Sequence, residues 1–227
     1  ASAAPWLVAL QPDQEGFERL AALLTHCDGR PMLSVMAGRV PVQSIAAHWL
    51  PLHLMHTADK QRLLLRFADT RVLPTLAGIL EPAQWGALAG PIEHWFHVDR
   101  AGGIACCERP ASELHPLPTE LRVSQRQLDA MVAACEPDTA VDWLADHAAE
   151  LIPGGMALAP MHRHLCGIFD LARKCRVDAW ADKMALVIAD FSTRGEVCKN
   201  PKLELLLRSE DWQRGALGDA LRAQGFI

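Results

Sequence analysis

At 227 residues, with a net charge of −5, half of its residues hydrophobic and 22% charged, the chain has the make-up of a soluble globular protein, either one large domain or two small lobes. Its Lys and Arg residues are interspersed with acids rather than gathered into a stripe, which argues against nucleic acid as the partner. No apolar run approaches the roughly 20 residues that a membrane-spanning helix needs, so no membrane partner is expected either.

Residues 1–10, ASAAPWLVAL, have neither the basic start nor the long apolar core of a signal peptide, and without an initiator Met they read as a trimmed start. The spacing of Phe17, Leu20, Ala21 and Leu24 predicts a helix over 13–27, with Asp13 as N-cap and Gly29 as stop. MLSVM (32–36) is short and strand-like. Pro41 opens a helix whose stripe is Val42, Ile45, Ala46 and Trp49, and Pro51 kinks or ends it. QRLLLRF (61–67) reads as a strand and RVLPTLAGIL (71–80) as the helix after it. A short helix begins at Pro82. IEHWFHVD (92–99) alternates as a strand and turns at Gly102-Gly103 into IACCER (104–109), a hairpin.

RPASELHPLPTELRV (109–123) holds three prolines and no periodicity, and so reads as a linker. Everything beyond is helical. Ser124 caps a helix with Leu128, Met131, Val132 and Cys135; a second carries Ala140, Leu144, Ala148 and Leu151; a third carries Leu165, Ile168, Phe169 and Ala172. A fourth starts near Asp178 and ends at Gly195, Pro201 opens a short one, and Ser209 caps a last one that Gly225 ends. The fold class is therefore α+β: a mixed α/β lobe with a small sheet (1–109), a proline-rich linker (110–123) and an all-helical lobe (124–227).

Among candidate sites, Arg66, Asp69 and Arg71 stand out at the carboxyl end of the leucine-rich strand, where α/β sheets often place ligands. Two guanidiniums beside one carboxylate can bind an anion or tune an acid, which makes an enzyme acting on a small anionic substrate one reading. The other is local: Asp69 accepts backbone N–H groups at the start of the following helix while the arginines neutralise it. No second acid, nucleophile or phosphate loop accompanies the trio, which favours a structural staple.

The histidines suggest metal only at first sight. His53 and His56 could share a helical face, but His94 and His97 oppose each other on a strand. His162 and His164 sit about 200° apart on a helix. None has the pattern of a closed zinc site. Neither metal nor cofactor is expected. The seven cysteines contain no C-x-x-C and no recognisable nucleophile setting, and read as reduced thiols in a cytosolic protein. Of the tryptophans 49, 85, 95, 143, 180 and 212, most suit the core. Trp95 shares a strand face with Glu93, His97 and Asp99, so Trp95 and His97 are the expected partner-facing pair.

APWLVAL near the start, LLLRFADTRVLPTL (63–76) and WGALAGPIEHWF (85–96) together resemble the effector-chaperone, or adaptor, family of bacterial type VI secretion systems. The family's hallmark is an apolar strand running into Arg-Phe-x-Asp-Pro-Arg-Val-Leu. Arg66, Phe67, Asp69, Arg71, Val72 and Leu73 fill the corresponding places, and Thr70 stands where proline is usual. The motif resemblance covers residues 4–105. It implies a non-enzymatic, cytoplasmic bacterial protein that binds a toxic effector and helps load it onto the valine-glycine-repeat spike protein, VgrG; from the two-lobe pattern around 109–123, an apolar effector segment is expected in a cleft between the lobes. On that reading Arg66, Phe67, Asp69 and Arg71 hold the lobe's shape.

Overall fold

Asp13 begins the first helix as its side chain suggests: Oδ1 accepts the Gly16 backbone N–H at 2.8 Å, satisfying one of the unpaired donors of helix α1 (Gln14–Cys27). The computed structural model describes residues 5–27, 30–108, 120–209 and 211–227. The expected stop at Gly29 and most of the expected linker, 109–119, fall outside them. The apolar stripe of α1 is not core. Phe17 is 64% exposed, and only Gly16 and Cys27 are buried on this helix.

The chain divides into two compact units, Ala1–Ala134 and Cys135–Ile227. The first contains β1 (Ser34–Ala37), α2 (Val42–Trp49), β2 (Leu54–His56), β3 (Arg62–Leu64), α3 (Leu73–Ile79), α4 (Pro82–Ala89), β4 (His94–Val98), β5 (Ile104–Cys107) and β6 (Leu121–Arg122). Helix α2 ends just ahead of Pro51, whose ring cannot follow in a helix interior. The chain then extends into β2, a strand where the sequence suggested helix. His56 lies on that strand and His53 precedes it, so the two do not share a helical face.

Two three-stranded sheets result, ordered β1-β4-β5 and β3-β2-β6. In the first, β4 pairs antiparallel on both sides, and the β4–β5 hairpin sets Trp95 opposite Cys107 and Phe96 opposite Cys106. Gly102 supplies the positive φ of 81° that its turn requires. In the second sheet, β6 adds parallel to β2. The last residues of the expected linker are thus a strand, and Leu121 and Val123 join the core of Leu52, Leu73, Leu76, Leu88 and Trp95.

Residues 124–147 read as parts of two helices but form one, α5 (Gln125–His147), with Pro137 in its interior. Proline removes one backbone donor there, but both flanks are anchored by burial: Met131 in the core of the first unit, Ala140 and Leu144 in that of the second. Ser124 and Gln127 cap its start reciprocally, Ser124 N donating to Gln127 Oε1 at 2.9 Å and Gln127 N to Ser124 Oγ at 3.3 Å.

The second unit holds the rest of α5, a short 3-10 turn (Ala149–Leu151), α6 (Leu158–Lys174), α7 (Trp180–Ser192), α8 (Pro201–Arg208) and α9 (Leu217–Ala223). Leu165, Phe169, Leu186, Val187, Leu203, Leu217 and Leu221 form its core. Asn200 caps α8, accepting from Lys202 N at 3.0 Å. Ser209 closes α8 instead of opening α9. That role passes to the buried Asp182 of α7, whose oxygens accept from Gly215 N at 2.7 Å and Leu217 N at 3.0 Å. The mixed architecture is that of an α+β protein, and no helix among the described residues is long and apolar enough to cross a membrane.

Candidate functional site

Strand β3 alternates as its sequence dictates. Leu65 is buried and Leu63 and Phe67 are half-buried on one side, whereas Arg62, Leu64 and Arg66 are exposed. Immediately after it the chain turns, with Asp69 N donating to Arg66 O at 3.0 Å. Asp69 O then accepts from Val72 N and Leu73 N, both at 2.9 Å, which delivers the chain into α3.

The Asp69 side chain completes the turn. Arg71 donates to Oδ1 from its backbone N (3.0 Å) and from Nε (3.1 Å), and to Oδ2 from Nη2 (3.0 Å). Arg66 Nη2 donates to Oδ2 at 2.7 Å. Burial pushes the Asp69 carboxyl up, but the hydrogen bonds from Arg71 and the two guanidinium charges outweigh it and hold the carboxyl below its ordinary value. Both oxygens are thus occupied by the protein's own donors. Arg100 Nη2 donates to Arg71 O at 3.0 Å, tying the turn to the loop between β4 and β5. As it stands, the trio is a closed network of charge-assisted bonds.

Phe67 links this turn to the interior. Its ring lies 4.8 Å from Trp49 and 6.5 Å, edge-on, from Trp95; Trp95 in turn stacks on Trp49 at 5.5 Å and on Trp85 at 5.9 Å. Trp49 Nε1 donates to Leu88 O and Trp85 Nε1 to Glu108 O, each at 2.9 Å.

The expected wet face of β4 does not exist. Trp95 and His97 are both 4% exposed, Trp95 packing against Trp49, Trp85 and Phe67, while His94 is exposed. Strand β4 carries apolar side chains on both faces, so its alternation could not tell inside from outside. Thr70, where the resembling family has proline, is also buried, and its hydroxyl has no hydrogen-bond partner among the described residues.

Exposed large apolar side chains are spread along the described residues, Leu50, Leu64, Ile104, Val132 and Leu205 among them. Trp6 is 89% exposed, and Val8, Phe17 and Leu23 are exposed with it. All four precede β1.

In the second unit, His162 and His164 turn to different acids. His164 Nε2 lies 2.6 Å from Oδ2 of the fully buried Asp190, whose Oδ1 accepts from Cys198 N at 3.2 Å, so each oxygen of that carboxylate is engaged. His164 borders a cavity of about 710 Å³ with Leu151, Ile152, Met156, Phe191 and Arg194. Sequence spacing gave no sign of this pair, since Asp190 comes from α7 and His164 from α6. Among the described residues, no group of three or more His, Cys, Asp or Glu side chains is placed to hold a metal ion.

Residues 1–87 match the family model of a domain of unknown function, DUF4123. No curated protein and no solved structure matches the chain.

Proposed function

We propose that the chain is a non-catalytic adaptor of a type VI secretion system, the setting with which the matched domain is associated, and that it binds an effector protein in the bacterial cytoplasm and helps load it onto the VgrG spike. The observation that carries this reading is the exposed apolar surface of Trp6, Val8, Phe17 and Leu23 inside the matched segment. Trp is enriched at the centre of surfaces that another polypeptide covers, and Trp6 is 89% exposed. The saturated Asp69 supports it from the other side: a carboxylate whose two oxygens already accept four hydrogen bonds is arranged to hold a turn.

The test is co-expression with candidate effectors taken from the genes that flank the chain's own. The effector and this chain should co-purify, and the effector should lose solubility when this chain is omitted. Trp6→Asp combined with Phe17→Asp should abolish co-purification while the melting curve stays in place. An effector that remains soluble and reaches the spike in a deletion strain overturns the adaptor reading. The competing reading, an enzyme acting on a small anion through Arg66, Asp69 and Arg71, requires turnover that Asp69→Asn removes without loss of stability.

A further inference from the structure

The seven cysteines sit in very different surroundings. Cys27 and Cys175 are buried, and burial raises the Cys175 thiol. Burial, with Cys106 beside it, pushes Cys107 up to about 11. Burial and the adjacent Asp190 carboxylate push Cys198 far above the ordinary thiol range. Thiols held in this way are poor nucleophiles at neutral pH. Cys106 is exposed on β5, and its sulfur donates to Cys107 O at 3.5 Å.

Cys166 differs from all of these. On α6 it follows His162 by four residues, which stacks the two side chains on one helical face. Its Sγ lies 3.6 Å from His162 Nδ1. On the far side of the ring, His162 Nε2 lies 3.7 Å from Asp138 Oδ2 of α5. Thiol, imidazole and carboxylate therefore stand in line. Both His162 and Asp138 are mostly buried, at 16% and 15% side-chain exposure, while Cys166 is half-buried. The neighbouring acid on α5, Glu136, pairs with Lys183 of α7 at 2.5 Å.

This order lets the Cys166 proton pass to Nδ1, so that an imidazolium lies between a thiolate and a carboxylate. Acyl transfer is not what the site is built for. Cys166 lies in mid-helix, where the surrounding backbone N–H groups are committed to the helix and cannot form an oxyanion hole. Attack on a disulfide needs no such hole, because the departing sulfur carries its own charge.

We propose that Cys166, activated by His162 and positioned through Asp138, is a thiol-modification site that forms mixed disulfides with small-molecule disulfides. The Cys166 thiolate attacks one sulfur of the reagent. The new S–S bond forms as the old one breaks, and the departing thiolate takes up a proton. Cys166 is oxidised to the mixed disulfide, and the released thiol is the reduced product.

The test uses the full chain and an aromatic disulfide that releases a coloured thiolate, between about pH 6 and pH 9, with the modified residue assigned by peptide mapping. Cys166 should react first, about tenfold or more faster than the exposed Cys106, and keep that lead as the pH falls. His162→Gln should bring the Cys166 rate down to that of Cys106, and Asp138→Asn should lower it severalfold. Oxidised glutathione should modify the same residue. Labelling of Cys166 no faster than Cys106, or an unchanged Cys166 rate in a folded His162→Gln or Asp138→Asn chain, overturns the proposal.

Discussion

Arg71 holds Asp69 from three donors at once, its backbone N, Nε and Nη2, at 3.0, 3.1 and 3.0 Å. Because one of the three is backbone, the pair fixes the path of the chain as well as a charge. The side-chain fork gives planar, two-point recognition of the carboxylate. Phe67, two residues before Asp69, is set into the tryptophan cluster by the same turn.

Asp69→Asn should therefore destabilise the protein by about 1–3 kcal/mol, since the amide cannot accept from all four donors that the carboxylate serves. Denaturant titration of the variant against the parent measures this. The sign of the pH dependence follows from the depressed Asp69 carboxyl. Its contribution is complete above the unfolded-chain value of about 3.9 and is lost as pH falls from there through the lower folded value. The stability gap between parent and Asn variant should be flat near neutrality and close in acid. A gap that stays open in strong acid means the carboxylate charge is not what matters.

Thr70→Val should stabilise the chain by about 0.5–2 kcal/mol. The Thr70 hydroxyl is buried without a partner among the described residues, and a methyl in its place removes a desolvation cost without changing the shape. A midpoint shifted down, in place of up, shows that the hydroxyl is satisfied in solution.

Trp95→Ala should cost about 3–5 kcal/mol, the loss typical of a large aromatic removed from a packed core. Trp6→Ala, at the most exposed of the large hydrophobic positions, should change stability by no more than about 0.5 kcal/mol. Thermal melts of the two variants side by side separate a core tryptophan from a surface one.

Much of the first unit was legible in the sequence because its signals are local. A leucine run between Arg62 and Arg66 marked β3, the two-residue period of a strand gave its faces, and Gly102-Gly103 marked the hairpin. What was hidden depended on distant residues. Strand β6 is two residues long and exists through its pairing with β2 and through Gln84 and Gln127, whose side chains meet at 2.6 Å while Gln84 Nε2 donates to Arg122 O at 2.5 Å. Trp95 looked exposed because Phe96 and Val98 make the opposite face of β4 equally apolar. The His162–Cys166 spacing was readable on α6, but Asp138 comes from another helix, and only the tertiary fold brings it there.

The parallel strand β6 also sets where the protein can be cut. Leu121, Val123 and Met131 complete the interior around Leu73, Leu76 and Leu88, although they lie more than thirty residues beyond the segment that matches the known domain. A recombinant piece trimmed to that match would lack these three side chains together with Leu88, Ile92 and Trp95 of the same core. The shortest fragment that carries its whole interior runs on through the opening turns of α5.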